Sequence, residues 1–180
     1  MANNIKRYII TGAPGTGKSS VLNELMKKGY ACFSEVSREI IKKQQELGGD
    51  LLPWRNLKDF AEECYNKMLT DCENAQKGIN FFDRGIPDII AYLKRRNLEI
   101  STFYFKKLDC YEVHVFFCPV WSEIFVNDPQ RAESFNEALI LEKHLLETYQ
   151  SLGFKIYKMP FVNVNQRIIK IENIIKNEKI

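Results

Sequence analysis

Between the apolar run Tyr8-Ile9-Ile10 and a helix-forming stretch lies Gly12-Ala13-Pro14-Gly15-Thr16-Gly17-Lys18-Ser19, three glycines, a lysine and two hydroxyls within eight residues. Glycines at this spacing let backbone N–H groups close around an oxyanion without Cβ clashes. The helix that follows, carrying Val21, Leu22, Leu25 and Met26, points its positive end at the same spot. Lys18 can reach outer phosphates, and Ser19 can ligate Mg²⁺. Gly12, Ala13, Pro14, Gly15, Thr16, Gly17, Lys18, Ser19 and Ser20 are therefore the candidate nucleotide-binding residues, with ATP and Mg²⁺ as the expected ligands. A strand must deliver this loop and a helix must leave it, which restricts the chain to α/β architectures.

The remaining pattern agrees. Strand-like runs near 6–11, 30–34, 79–83, 112–118 and 154–159 alternate with helix-like runs, as in a sheet built from right-handed crossovers. Helices are expected from the phosphate loop to Gly29, from Val36 to Leu47, and from a cap at Asn56 through Phe60, Ala61, Cys64, Tyr65, Met68 and Cys72. Pro87 and Asp88 suit the first turn of the next helix. Ser101 is read as the cap of a short helix around Tyr104 to Leu108. Ser134 and Glu137 have capping-box spacing, and Gly153 ends that helix. Asn165 is read as the cap of the last one, with Ile168, Ile171, Ile174 and Ile175 facing inward.

At 180 residues and 45% apolar content the chain suits one domain with one substantial core, spanning 1–180, with a lid near 125–137. A net charge of +3 with both signs interspersed gives no footprint for nucleic acid, so small anionic partners are expected. Five cysteines without a C-x-x-C pair, and no secretory apolar run, fit the cytoplasm. No stretch is long enough for a membrane span.

Candidate chemistry gathers at strand ends. Phe81-Phe82-Asp83-Arg84-Gly85 places an acid where a buried apolar run stops, a position that faces the ligand crevice of such sheets. Asp83 can bind Mg²⁺ or accept the proton of an attacking hydroxyl, while Arg84 can contact an anionic group. A structural Asp-Arg pair at a helix start is the competing reading. Glu35 and Arg38 follow the second strand and can hold substrate, or Glu35 can share acid–base or metal duty with Asp83. Arg131, in the proline-broken segment 127–133, can swing over the phosphates as a lid cation. The basic run Lys94-Arg95-Arg96 reads as a solvated helix face. Pro160 to Val164 is the expected base cradle, with Phe161 and Val164 alternatively in the core.

In these motifs the chain resembles the NadR-type AAA-domain family of phosphate-loop ATPases and kinases, which includes ribosylnicotinamide-kinase domains and proteins of the TRPL-translocation-defect type. The likeness covers nearly the whole chain. It rests on Gly12 to Ser19, Ser34 to Ile41, Phe82 to Gly85 with Asp88, Trp121 to Glu133, and Tyr149 to Gly153. The resemblance implies a P-loop NTPase fold of three layers, α/β/α, with a parallel five-stranded sheet in the order 2-3-1-4-5, close to nucleoside and nucleotide kinases. Motor-type AAA proteins match less well, because they place two adjacent acids at a strand end and here Asp83 is followed by Arg84. The expected activity is a Mg²⁺-dependent transfer of the ATP γ-phosphoryl to a hydroxyl of a nucleoside-like acceptor. The competing expectation is a nucleotide-dependent binding module without efficient transfer; the absence of an N-K-x-D pattern weakens its GTP version.

Overall fold

A computed structural model describes residues 4–125 and 133–177. Five parallel strands, β1 (Ile5–Thr11), β2 (Ala31–Phe33), β3 (Gly78–Asp83), β4 (His114–Phe117) and β5 (Lys155–Lys158), form one sheet in the order β2-β3-β1-β4-β5. The expected order and the five strands are thus realised. Six helices connect them: α1 (Lys18–Lys27), α2 (Val36–Leu47), α3 (Leu57–Glu73), α4 (Ile86–Arg95), α5 (Phe135–Ser151) and α6 (Val164–Asn177).

The sheet is buried on both faces, so its strands carry apolar residues at successive positions rather than alternating with polar ones. Tyr8, Ile10, Phe81 and Phe116 pack under α1 and α6, against Val21, Leu25, Ile168 and Ile171. Ile9, Phe82, Val115 and Phe117 point the opposite way, into a larger core with α2, α3, α4 and α5. The register sets Ile10 beside Asp83 and Thr11 beside Phe117, so the ends of β1, β3 and β4 lie at one edge. Among the described residues, no helix is long and apolar enough to cross a membrane.

Several expected boundaries need correction. Ser101 does not cap an α-helix: Thr102–Phe105 and Leu108–Cys110 are separate 3-10 turns, and the Ser101 side chain makes no capping bond. The cap of α6 is Asn163, whose side-chain oxygen accepts from the Gln166 amide at 3.0 Å, and Asn165 lies within the first turn. The second error follows from choosing among neighbouring cap-competent residues by type alone. The Asn56 cap and the Ser134–Glu137 capping box form as expected.

Asn80, fully buried on β3, shows how a polar residue is accommodated in this sheet. Its amide nitrogen donates to the carbonyls of Gln76 (2.7 Å), Gly78 (3.1 Å) and Lys6 (3.2 Å), and its oxygen accepts from the Gln76 amide at 2.8 Å. The side chain closes the turn that feeds β3 and ties it to β1. Asn80→Asp would set a carboxylate against carbonyl oxygens, and a loss of roughly 3 kcal/mol or more in urea unfolding is expected.

Candidate active site

The phosphate loop joins β1 to α1. Gly12 sits at φ +143°, and a Cβ there would lie 2.2 Å from the Cys118 carbonyl oxygen, so the end of β4 leaves room only for glycine. Within the loop the Thr16 hydroxyl and the Lys18 ammonium both donate to the Ala13 carbonyl, at 2.9 and 2.8 Å. The backbone N–H groups of Gly15, Thr16, Gly17 and Lys18 lie in the turn that opens α1, where the helix end favours an anion.

Arg167 of α6 fastens this loop from behind. Its Nη1 donates to the Thr16 carbonyl and its Nε to the Pro160 carbonyl, each at 3.1 Å, and its guanidinium lies 5.5 Å from the centre of the Trp121 ring. Trp121 in turn meets Phe161 with ring centres 5.5 Å apart. Phe161 is 55% exposed, so it belongs to an open aromatic ledge rather than the core, while Val164 packs partly against the α1–α6 core. Arg167 was not expected from the sequence. Its signal was a lone charge beside Ile168 on an otherwise apolar stripe.

Asp83, Arg84, Glu35 and Asp88 form the second half of the site, and all four are buried. Arg84 takes a left-handed φ of 75°, a strained conformation for a side chain of this size. Two ion pairs hold it there: Nε to Glu35 Oε1 at 2.7 Å and Nη1 to Asp88 Oδ1 at 3.1 Å. Asp88 also accepts from the Thr11 hydroxyl (2.6 Å), the Tyr149 phenol (2.5 Å) and the Gly85 amide (3.0 Å). The expected helix-start role of Asp88 is therefore real but is a small part of what it does. Glu35 accepts additionally from Ser37 at 2.8 Å and pairs with Arg38 at 3.4 Å.

Two clefts meet at this cluster. One, of about 360 Å³, is lined by Ser19, Asn23, Phe33, Glu35, Arg38 and Asp83. The other, of about 390 Å³, has apolar walls that include Trp54, Phe60, Met68 and Tyr92, and it reaches Arg84 and Asp88. The Glu35–Arg84 pair stands between them. Residues that fit Mg²⁺ line the first cleft: the Ser19 hydroxyl is exposed on the first turn of α1, and buried Asp83 Oδ1 has no hydrogen-bond partner.

The charges are costly where they are. Burial pushes the Asp83 carboxyl up to about 6, against which the Lys18 ammonium acts, and burial together with Arg84 lowers Lys18 to about 8. Asp83 therefore favours the native state below about pH 4, and that contribution is lost as pH rises through 6. Lys18 contributes fully above its ordinary 10.5, and its contribution is lost as pH falls through 8. Between pH 6 and 8 both groups are ionised in the fold at a cost of order 3 kcal/mol each. A bound metal and phosphate would offset that cost.

Of the residues expected from the sequence, the structure brings Lys18, Ser19, Asp83, Arg84 and Glu35 to one edge of the sheet, with Arg38 at its exposed rim. Arg131 lies outside the described residues. Arg95 and Arg96, expected as a solvated face, line the mouth of the larger cleft, where Arg95 pairs with Glu133 at 2.7 Å.

Fold and site together define a phosphate-loop nucleotide-binding protein with the sheet order of the nucleoside kinases. A family model described as an AAA domain matches residues 7–167, and the chain belongs to that family. Among solved structures it resembles deoxyadenosine kinase from M. mycoides with dCMP and dCDP bound, at 20% identity, TM-score 0.63, over 95% of this chain and 99% of that one. It also resembles the NadR protein in complex with NR, at 16% identity, TM-score 0.61, over 86% of this chain and 45% of that one. A curated relative, the tRNA modification GTPase MnmE of Rickettsia typhi (strain ATCC VR-144 / Wilmington), is 31% identical over 114 residues, 61% of this chain. The match spans 22% of that relative's length.

Removing the buried carboxylate charge should stabilise the ligand-free protein. At pH 7.5 Asp83→Asn is expected to melt at or above the wild-type temperature, with the difference shrinking as pH approaches 4. A clear drop at pH 7.5 would contradict a buried Asp83 carboxylate whose Oδ1 has no hydrogen-bond partner.

Proposed function

We propose that this protein is a Mg²⁺-dependent small-molecule kinase that transfers the γ-phosphoryl of ATP to a hydroxyl of a nucleoside-like acceptor. One observation carries the reading: a second cleft of about 390 Å³, with Trp54, Phe60 and Tyr92 in its walls, ends at Arg84 and Asp88, and Arg84 is paired with Glu35 of the cleft that Ser19 and Asp83 line. Hydrolysis of a nucleotide needs no such cavity; transfer to an organic acceptor does.

In this reading the loop amides and Lys18 hold the phosphates, with Lys18 exchanging its bond to the Ala13 carbonyl for phosphate oxygens. Ser19 and Asp83 would hold Mg²⁺, which neutralises phosphate charge when bound. The acceptor ring lies between Trp54, Phe60 and Tyr92, and its hydroxyl comes up to the Asp83–Glu35 edge. Asp83, ionised above about pH 6, accepts the hydroxyl proton directly or orients the hydroxyl through the metal shell. Arg84 fixes the acceptor end of the cleft, and Arg38 closes its rim. The Trp121–Phe161 ledge, fastened to the phosphate loop through Arg167, supports the base of ATP. Arg131 enters this reading from the sequence alone, as the cation of a lid near 125–137. The deoxyadenosine kinase and NadR likenesses support a nucleoside-like acceptor, and an odd number of cysteines without a C-x-x-C pair supports a cytoplasmic setting.

The GTPase relative favours a second reading, a nucleotide switch, which predicts turnover indifferent to acceptors.

ADP release from Mg·ATP is expected to rise with one member of a nucleoside panel and to vanish in Lys18→Ala. Asp83→Asn is expected to lose on the order of 10²–10⁴ in kcat while still binding nucleotide. For the wild type, kcat should climb as pH rises through about 6, where the carboxylate forms. Trp54→Ala should raise the acceptor KM by about tenfold, leaving the ATP KM unchanged. Flat, slow turnover across the panel would replace the kinase reading with the switch.

A further inference from the structure

Away from the nucleotide site, the sulfurs of Cys72 and Cys110 stand 3.1 Å apart, although the residues are separated by 38 positions in the chain. Cys72 lies in the last turn of α3 and Cys110 in the 3-10 turn that leads towards β4. We propose that this pair is a peroxide-responsive modification site that closes to an intramolecular disulfide.

The geometry is close to the product. A disulfide needs sulfurs about 2.05 Å apart, so the pair must approach by roughly 1 Å. Cys110 is half-buried in a short turn that can yield by that amount. Cys72 is only 4% exposed, so the oxidant the proposal requires is a small one, hydrogen peroxide. The two sulfurs share a hydrogen bond in which either can donate, and donation from Cys110 lowers the pKa of Cys72 while raising that of Cys110, which favours Cys72 as the thiolate. Burial instead pushes the Cys32 and Cys118 thiols up to about 11, which keeps both unreactive.

The chemistry balances with peroxide as the oxidant. The Cys72 thiolate attacks one peroxide oxygen, giving a sulfenic acid and hydroxide. The Cys110 sulfur then attacks the Cys72 sulfur, the S–S bond forms, and the sulfenic oxygen leaves as water with the Cys110 proton. Two thiols are oxidised and one peroxide becomes two waters. The new bond would tie α3 to the segment beneath Tyr111. That ring lies against Phe82 and 3.4 Å from where a Cβ on Gly85 would stand, so the bond sits beside the turn that carries Asp83 and Asp88.

The test treats the full chain with hydrogen peroxide at neutral pH, alkylates the remaining thiols, and reads intact mass and the digest. The expected result is three alkylated cysteines and one cross-linked Cys72–Cys110 peptide pair that dithiothreitol releases, with the unfolding midpoint raised by about 5–10 °C. Cys110→Ser should abolish the cross-link and leave a sulfenic acid on Cys72 that dimedone captures. The proposal is overturned if all five thiols remain alkylatable, if Cys32 or Cys118 oxidises first, or if Cys110→Ser gives no dimedone adduct at Cys72.

Discussion

The Asp88 carboxylate accepts from the Thr11 hydroxyl at the end of β1, the Tyr149 phenol of α5, the Arg84 guanidinium and the Gly85 amide at the start of α4. Through Arg84 it also reaches Glu35 at the start of α2. These elements arrive from distant parts of the sequence, and a buried charge is tolerable among them only when its oxygens are saturated. The geometry of the strand edge therefore depends on one side chain. The strained φ of Arg84 follows from the same requirement, because two carboxylates on different helices fix where its guanidinium must lie. Burial and the Asp88 charge together raise the Tyr149 pKa well above its ordinary value, so the phenol keeps its proton and remains a donor.

Next to the saturated Asp88 carboxylate lies a pair of charged groups that is not saturated. Asp83 Oδ1 has no hydrogen-bond partner, and Lys18 rests on a carbonyl of its own loop. Both carry charge at neutral pH against burial. The contrast separates the acids of the site: the Asp88 and Glu35 oxygens are engaged by neighbours, whereas Asp83 Oδ1 is not, as the proposed metal-binding or proton-accepting role requires. A nucleophile or metal site needs such an unspent group, and the stability it costs is recovered when ligand binds.

Much of this was legible beforehand because it is written in local patterns. The glycine spacing of the phosphate loop, the apolar runs that end at Asp83, and the capping box at Ser134 each specify a backbone conformation within a few residues. What sequence reading missed is long-range. Nothing near Arg167 says that its guanidinium will bridge Thr16 and Pro160, and nothing near Tyr149 names Asp88 as its partner. The shift of the α6 cap from Asn165 to Asn163 has a different origin, since both residues can cap and only the path of the chain after β5 chooses between them. The larger cleft was illegible for the same reason as Arg167: its walls come from α2, α3, α4 and the turn at Trp54, and each wall alone reads as ordinary core.

Asp83 lines one cleft and Arg84, its neighbour in the chain, lines the other, and the proposed reaction passes a phosphoryl group from the first to an acceptor in the second. The most direct measurement follows the γ-phosphate itself, using ATP labelled at that position, Mg²⁺ and a nucleoside mixture, with products separated by mass. The label is expected on a nucleoside hydroxyl. Label recovered wholly as inorganic phosphate, at a rate indifferent to every nucleoside, would contradict the two-cleft account.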